Sequence, residues 1–305
     1  MNNQLNKPKG FGEILDLTFR LSKNHFSNFI LIFLVIMGPL YLLQSFVELL
    51  SGTSFFREVG TGSNPFEQFA SSFDIAEAEA TSNLGADLGI VFLGLLTMVV
   101  LPFAYASILI AVNDIKKGLE FTVKDVMKRA FSEFWTIFGS SLLFGLLFFS
   151  LVFVPLFFII IIGVIGAVAN PIVGIILSII LFLAVAAVAI FLLTRWSFFL
   201  GAVVFEQDAP GLGRSWRLTR KRTWFVIGLY IVLFLITFSI SISVETVLGM
   251  LLGYSVLFTV LVNVVALVTS MFLAVGYAIV YLDLKARHDA DDLKELIDDY
   301  NSVNN

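Results

Sequence analysis

The chain has 305 residues, 58% of them apolar even with glycine left out and 14% of them charged. An ordinary soluble domain has about 45–50% apolar residues with glycine counted and about 25% charged residues. The composition therefore excludes a soluble globular domain, a disordered chain and a nucleic-acid-binding protein. Cysteine is absent, and the two histidines, His25 and His288, lie far apart in the sequence. We expect no disulfide, no thiolate chemistry, no metal site and no cofactor.

Several apolar runs exceed the roughly 18 residues that mark a membrane-spanning helix. They predict an all-α fold, namely a polytopic membrane protein with six transmembrane helices in one integral membrane domain. Residues 136–205 could also form four short helices, but two long tilted helices are favoured because Asn170-Pro171 is the only strong breaker near the middle. The first run is too long for the apolar core of a signal peptide, so we expect it to be retained. The predicted spans are residues 29–50, 88–112, 137–169, 171–194, 225–252 and 255–282.

The basic residues are distributed unevenly along the chain. Of the 19 lysines and arginines, only Arg57 lies in a loop that follows an odd-numbered span, here the first. All the others lie in the two termini or after the second or fourth span, and in a six-span protein these segments share one face of the membrane. The positive-inside rule assigns that face, with both termini, to the cytoplasm. The outer loop 51–87 is acidic and is either a surface for a cation or a partner or simply a solubilising loop. The acidic cytoplasmic tail 283–305 contains a short amphipathic pattern that either folds back on the basic helices or binds a partner.

Three cytoplasmic stretches share a design. In the clearest of them, residues 122–135, apolar side chains recur at helical spacing along one face and polar or charged side chains occupy the other. Thr122 and Asp125 resemble a capping box at its start. Similar stretches cover residues 11–26 and 212–224, and two predicted spans follow each of the three.

We therefore predict three repeats, each an amphipathic interfacial helix followed by a helical hairpin, over approximately residues 11–112, 122–205 and 211–282. The amphipathic stretches align on the aromatic residue near the end of each: Phe26, Trp135 and Trp224. This alignment brings two pairs of basic residues to equivalent positions, Arg20 with Arg129 and Lys128 with Arg217.

Amphipathic interfacial helices contact the membrane surface in a characteristic way. Their apolar side chains enter the headgroup boundary, Lys and Arg meet anionic lipid, and Trp and Phe lie at the interface. The alternative is topological anchoring, in which the helices only set the tilt of the spans. The cluster from Arg214 to Arg222 is the best candidate for a phosphate or anionic-lipid contact. The candidate lipid or anion contacts are Arg20, Lys23, Lys128, Arg129, Arg214, Arg217, Arg220, Lys221 and Arg222.

Polar side chains within or near the spans form a second set of candidates. An ionisable group in a membrane is functional by default, but structural roles are favoured here because none is evident at the midplane. Arg195 could pair with Glu206 or Asp208. Asp114 and Asp283, at the inner boundary, could pair with arginines of the amphipathic helices. The intramembrane polar candidates are Glu48, Arg195, Glu245 and Asn263.

Three short motifs stand out along the chain. They are Phe11-Gly12-Glu13-Ile14-Leu15-Asp16 followed by Phe19-Arg20, then Arg214-Ser215-Trp216-Arg217-Leu218-Thr219-Arg220, and Tyr281-Leu282-Asp283-Leu284-Lys285-Ala286-Arg287. With these motifs the chain resembles bacterial proteins described as the membrane domain of glycerophosphoryl diester phosphodiesterase. The resemblance implies a six-span module of the bacterial cytoplasmic membrane that can be fused to a soluble phosphodiesterase domain. That catalytic domain needs histidines and metal-binding carboxylates that this chain does not supply, so the resemblance implies a membrane module without catalysis.

No phosphate-binding loop, G-x-S-x-G, H-E-x-x-H or C-x-x-C motif occurs in the sequence. We therefore predict a non-enzymatic integral membrane protein in envelope- or lipid-related work, whose partners are membrane lipids, anionic ones in particular, or a membrane or cytoplasmic protein. The alternative is a transporter or an export or immunity component, with a polar cavity reached by Glu48, Glu245 or Asn263. An enzyme acting on lipid phosphodiesters would need clustered groups at the inner face, for which the candidates are His25, Asp114, Asp283 and His288.

Overall fold

The fold was analysed in a computed structural model of the chain, which describes residues 8–56, 84–253 and 255–303 and the isolated residues 64, 67 and 71. For residues 291–303 only the helical backbone is described. Most of the predicted acidic loop 51–87, and most side chains of the acidic tail, therefore lie outside the described residues. The described part contains helices and no strand, so the all-α prediction is confirmed.

The helices are numbered here in chain order. The ten described helices are α1 (Phe11–Asn24), α2 (Phe26–Leu50), α3 (Leu84–Lys117), α4 (Val123–Ser132), α5 (Phe134–Ala169), α6 (Pro171–Trp196), α7 (Phe199–Glu206), α8 (Leu212–Thr219), α9 (Thr223–Leu252) and α10 (Val256–Val303). We call α1, α4 and α8 the basic helices, and the end of the bundle where they lie the basic end.

Six helices, α2, α3, α5, α6, α9 and α10, are long and apolar enough to cross a membrane. Each contains one predicted span, so the prediction of a multi-pass membrane protein with six such helices is confirmed. Helices are the natural choice because hydrocarbon offers no partner for an unpaired backbone amide or carbonyl. Each basic helix precedes two long helices, which is the order of the predicted units, while the internal repeat itself stays a prediction.

The break between α5 and α6 decides the fold of residues 136–205. The Asn170 side chain accepts hydrogen bonds from the backbone amides of Ile172 and Val173, and Pro171 occupies the first turn of α6, where a missing N–H is harmless. The two long helices favoured by the sequence are therefore present, and the short α7 follows them. Close packing of this hairpin depends on small residues: a Cβ added to Gly166 would lie 2.9 Å from Cα of Gly174.

Helix α10 forms the centre of the bundle, where it packs against α1, α2, α3, α8 and α9. Small side chains on α10 and α3, such as Ala274, Ala278 and Ala106, are completely buried. Small residues let helix backbones approach closely, which is the main source of helix association in a bilayer. Helices α5 and α6 contribute little to this core and expose large apolar side chains, such as Phe157 and Ile179, along most of their length.

The predicted burial of the amphipathic stripes in the headgroup boundary is wrong for α1. Its Ile14 and Leu21 are completely buried, and so is Thr18, because this face packs on α10, α2 and α9. A stripe that meets protein gains the same apolar contacts as one that meets lipid, so its periodicity does not distinguish the two. The tryptophans at the ends of the second and third stretches protrude, with Trp135 79% and Trp224 76% exposed.

Candidate functional site

The basic end contains three acidic residues that anchor the chain where it leaves an even-numbered span. The first is Asp114, near the end of α3, which binds Arg129 of α4 through both carboxylate oxygens. Arg129 also reaches Asp125, one turn before it on α4, at 3.1 Å. The hydrogen bond to Asp114 raises the pKa of Arg129 above its ordinary value. The predicted pairing of Asp114 with an arginine of an amphipathic helix is confirmed.

Helix α4 is positioned by its cap and by aromatic packing. The Thr122 hydroxyl accepts a hydrogen bond from the backbone amide of Asp125 at 3.2 Å, which confirms the predicted cap. Phe131 of α4 and Phe134, the first residue of α5, stack on Phe103 of α3, with ring centroids 5.0 and 5.1 Å away. These contacts hold α4 against α3 and bring Arg129 to Asp114.

The second acidic residue, Glu206, is the hub of the largest polar network at the basic end. Its Oε2 accepts from Nε of Arg214 at 2.7 Å, and its Oε1 accepts from the Tyr281 hydroxyl at 2.9 Å. The Lys285 ammonium lies 3.1 Å from the same Oε1, and Arg214 also lies 3.6 Å from Asp289. The network joins the end of α7 and the first turn of α8 to the middle of α10.

The third acidic residue, Asp283 on α10, binds the segment that precedes α1. Its Oδ1 accepts from the backbone amide of Lys9 at 2.7 Å, and its Oδ2 accepts from Nε of Arg287 at 2.8 Å. Arg287 in turn donates to the Lys9 carbonyl at 2.6 Å. Asp283 is completely buried. It therefore attaches the segment that precedes α1 to α10, although the predicted partner was an arginine of an amphipathic helix.

Arg195, one of the intramembrane candidates, does not pair with Glu206 or Asp208, and that prediction is wrong. Its guanidinium carbon lies 3.9 Å from the centroid of the Trp216 ring, and its Nη2 donates to the Trp216 carbonyl at 3.2 Å. Phe191 contributes a second, more distant ring at 5.7 Å. Aromatic faces compensate a cation that is almost fully removed from water. Arg195 thus fastens α8 to the end of α6.

The other candidate cations have different surroundings. Arg20 is half-buried, and Arg222 is half-buried with its guanidinium 5.5 Å from the Phe225 ring. The remaining five are exposed at the basic end: Lys23, Lys128, Arg217, Arg220 and Lys221. The structure therefore divides the predicted contact residues into those used between helices, above all Arg129 and Arg214, and those directed to the surroundings.

The intramembrane candidates Glu48, Glu245 and Asn263 do not share a polar cavity. Glu48 is buried on α2, whereas Glu245 is exposed on α9. Asn263 borders a groove between α2 and α10 whose walls are mostly apolar. The groove that Asn263 borders is therefore not the polar cavity that the transporter alternative predicts.

Three of the residues considered for phosphodiester chemistry, Asp114, Asp283 and His25, are engaged in ion pairs or in packing. Asp114 and Asp283 are each bound to an arginine, and His25 packs against Phe29 and Phe121 with centroids 5.7 and 5.9 Å apart. Burial lowers the pKa of His25. Within residues 8–56, 84–253 and 255–290, no group of three or more histidine or acidic side chains could hold a metal ion.

Sequence reasoning missed the roles of Tyr281 and Lys9, although one signal was present in the third motif. Tyr281 and Lys285 are one helical turn apart and both face Glu206. Asp283 and Arg287, two residues out of phase, face Lys9 instead. The motif therefore encodes two adjacent faces of one helix.

Comparison with known proteins adds no relative. No protein-family model, no curated protein and no solved structure matches the chain. The resemblance to the membrane domain of glycerophosphoryl diester phosphodiesterase therefore stays a prediction.

Proposed function

We propose that this multi-pass membrane protein is not an enzyme and that its basic end binds the headgroups of anionic lipids. The observation that carries the proposal is the set of exposed cations shortly before two of the spans, close in sequence to exposed tryptophans. Lys128 precedes Trp135, and Arg217 and Arg220 precede Trp224, at the predicted level of the membrane interface. Tryptophan favours that level, and each nearby Lys or Arg gains about 1 kcal/mol from an anionic surface.

The internal ion pairs support this assignment by elimination. Arg129 and Arg214 already bind carboxylates, and Arg195 lies against Trp216. Helices α4 and α8 are thus held in place by one set of cations, while a second set is exposed. A helix needs no exposed Arg217 or Arg220 to pack on its neighbours, so the charge of these side chains is available to a ligand.

The proposed location is the cytoplasmic membrane of a bacterium, with the basic end and both termini in the cytoplasm. The one-sided distribution of Lys and Arg and the resemblance described above are its support. The role would be in envelope or lipid-related work, with a cytoplasmic or membrane protein as the other possible partner of the same cations.

Replacing both Arg217 and Arg220 by alanine is expected to lower the retention of anionic lipid about thirtyfold, given about 1 kcal/mol for each cation near the membrane surface. The measurement is native mass spectrometry of the full chain released from nanodiscs that contain phosphatidylglycerol and phosphatidylethanolamine. The matched control, with both arginines changed to lysine, keeps the charge and should keep the lipid. Unchanged retention in the alanine variant would reject lipid binding and leave a protein partner as the ligand of this cluster.

The orientation is testable with single cysteines because the natural chain has none. A membrane-impermeant maleimide added to intact cells is expected to label Thr53→Cys, beyond the end of α2, and not Lys128→Cys. After permeabilisation both variants should react, since both side chains are at least partly exposed. Labelling of Lys128→Cys in intact cells would place the basic end outside and overturn the proposed contact with the inner leaflet.

A further inference from the structure

A groove of about 510 Å³ runs between α2 and α10 on the side of the bundle. Its rim includes Leu34, Leu42 and Val264, which are 50%, 68% and 48% exposed, so the groove opens toward the surroundings of the spans. Its volume lies within the roughly 300–1,000 Å³ of small-molecule sites. For a membrane-spanning pair of helices, those surroundings are the lipid.

The open space depends on Gly38, which borders the groove without a side chain. A Cβ at this position would meet only the Leu34 side chain, at 3.6 Å, which is an ordinary contact. A larger side chain at position 38 therefore enters the groove and displaces no backbone. Pro39 follows directly within α2 and also borders the groove.

The groove is about as long as one leaflet of the hydrocarbon core is thick. From Leu34 to Ser45 the groove follows α2 for about 16 Å at 1.5 Å per residue, which is close to one leaflet of a ~30 Å hydrocarbon core. A single hydrocarbon chain of a bilayer lipid matches this length, and lipid surrounds a groove that opens on the side of membrane-spanning helices.

Polar groups occur at one end of the groove and on its wall. Glu48 lies about one helical turn beyond Ser45 on α2 and is 5% exposed. Its carboxylate accepts a hydrogen bond from the Gln44 side chain at 3.2 Å. Asn263 borders the groove on α10, and its buried Nδ2 has no hydrogen-bond partner. An amide without a partner at membrane depth is unfavourable, because hydrocarbon offers no acceptor.

We propose that the groove between α2 and α10 holds one acyl chain of a bilayer glycerolipid, whose ester carbonyl accepts a hydrogen bond from the Asn263 amide. The acyl chain lies along the apolar walls. The head region lies toward the end of α2 marked by Gln44 and Glu48, away from the basic end. Rotation of the Asn263 amide turns Nδ2 to the ester. This site is separate from the basic end and does not depend on the proposed binding of anionic lipid there.

The test uses the full chain in vesicles that contain a phosphatidylethanolamine with a photoreactive diazirine in one acyl chain. Mass spectrometry then maps the labelled residues. Label is expected to concentrate on residues 34–45 and 260–267, above the level on the lipid-exposed helices α5 and α6. Gly38→Leu should lower the groove label at least fivefold, and Asn263→Leu should lower it severalfold. The matched control is Gly94→Leu on α3, where an added Cβ meets nothing within 4 Å, and it should leave the label unchanged.

Two results would overturn the proposal. One is a groove label no stronger than that on α5 and α6, which would mean ordinary lipid contact. The other is an unchanged label in a folded Gly38→Leu variant, with thermal unfolding used to show that the variant is folded. The Arg217 and Arg220 variants should leave the groove label unaltered, which separates this site from the basic end.

Discussion

Changing Gly211 to alanine is expected to destabilise the protein by about 3 kcal/mol, seen as a melting temperature lowered by roughly 6 °C. Gly211 precedes α8 with φ of 76°, a left-handed conformation that glycine adopts freely and alanine does not. An added Cβ would also collide with the backbone carbonyl of Phe199, which has little freedom to move because Phe199 itself begins α7. The collision would push α8 away from α7 and with it Arg214 from Glu206.

The control for this prediction lies two residues along the chain. A Cβ added to Gly213 meets nothing within 4 Å, and Gly213 is inside α8. Gly213→Ala should leave the melting temperature unchanged or raise it slightly, since alanine favours a helix by up to about 1 kcal/mol over glycine. Equal melting temperatures for the two alanine variants would show that the close approach of α7 and α8 does not stabilise the fold.

The Glu206→Ala variant is expected to lose about 3 kcal/mol of stability and to melt roughly 6 °C lower. It removes the acceptor of three groups, namely Arg214, Tyr281 and Lys285. The Arg214 side chain is only 14% exposed, so its guanidinium would lose a partner without gaining full hydration. Thermal unfolding of the purified chain, followed by tryptophan fluorescence, measures the loss.

A double-mutant cycle distinguishes loss of the network from a general effect of the substitution. If Arg214 and Glu206 stabilise the fold through each other, the double alanine variant should be destabilised by less than the sum of the two single variants. Glu120→Ala, at an exposed position just after α3, is the matched control and should change little. Strict additivity of the two single variants would contradict the role of Glu206 as the hub that joins α7, α8 and α10.

The sequence predicted much of the fold because the relevant signals are local. Six apolar runs correspond to six long helices, and Asn170-Pro171 ends one and begins the next. Thr122 caps α4 as its spacing indicates. A hydrocarbon environment allows little else: a long apolar run must pair its own backbone groups, and a helix does so without any distant partner.

Part of the candidate site was also predictable. Asp114 and Arg129 are 15 residues apart, joined by a short connection between two helices, so their pairing follows from the sequence. The partners of Glu206 and Asp283 are different, since Tyr281 and Lys9 lie 75 and 274 residues away from them. No local pattern marks such pairs, and Arg195 was accordingly assigned to the wrong partners.

The sequence by itself determined which segments avoid water and where these segments are interrupted. It also determined that, with six spans, nearly all cations share one face of the protein. Only the tertiary structure decided that α1 packs on α10 rather than lying in lipid, that Arg129 and Arg214 serve the protein while Arg217 and Arg220 face outward, and that a groove remains beside Gly38. The physical reason is that hydropathy measures transfer out of water. It does not distinguish burial against lipid from burial against another helix, and that choice depends on shape and on polar partners far apart in the chain.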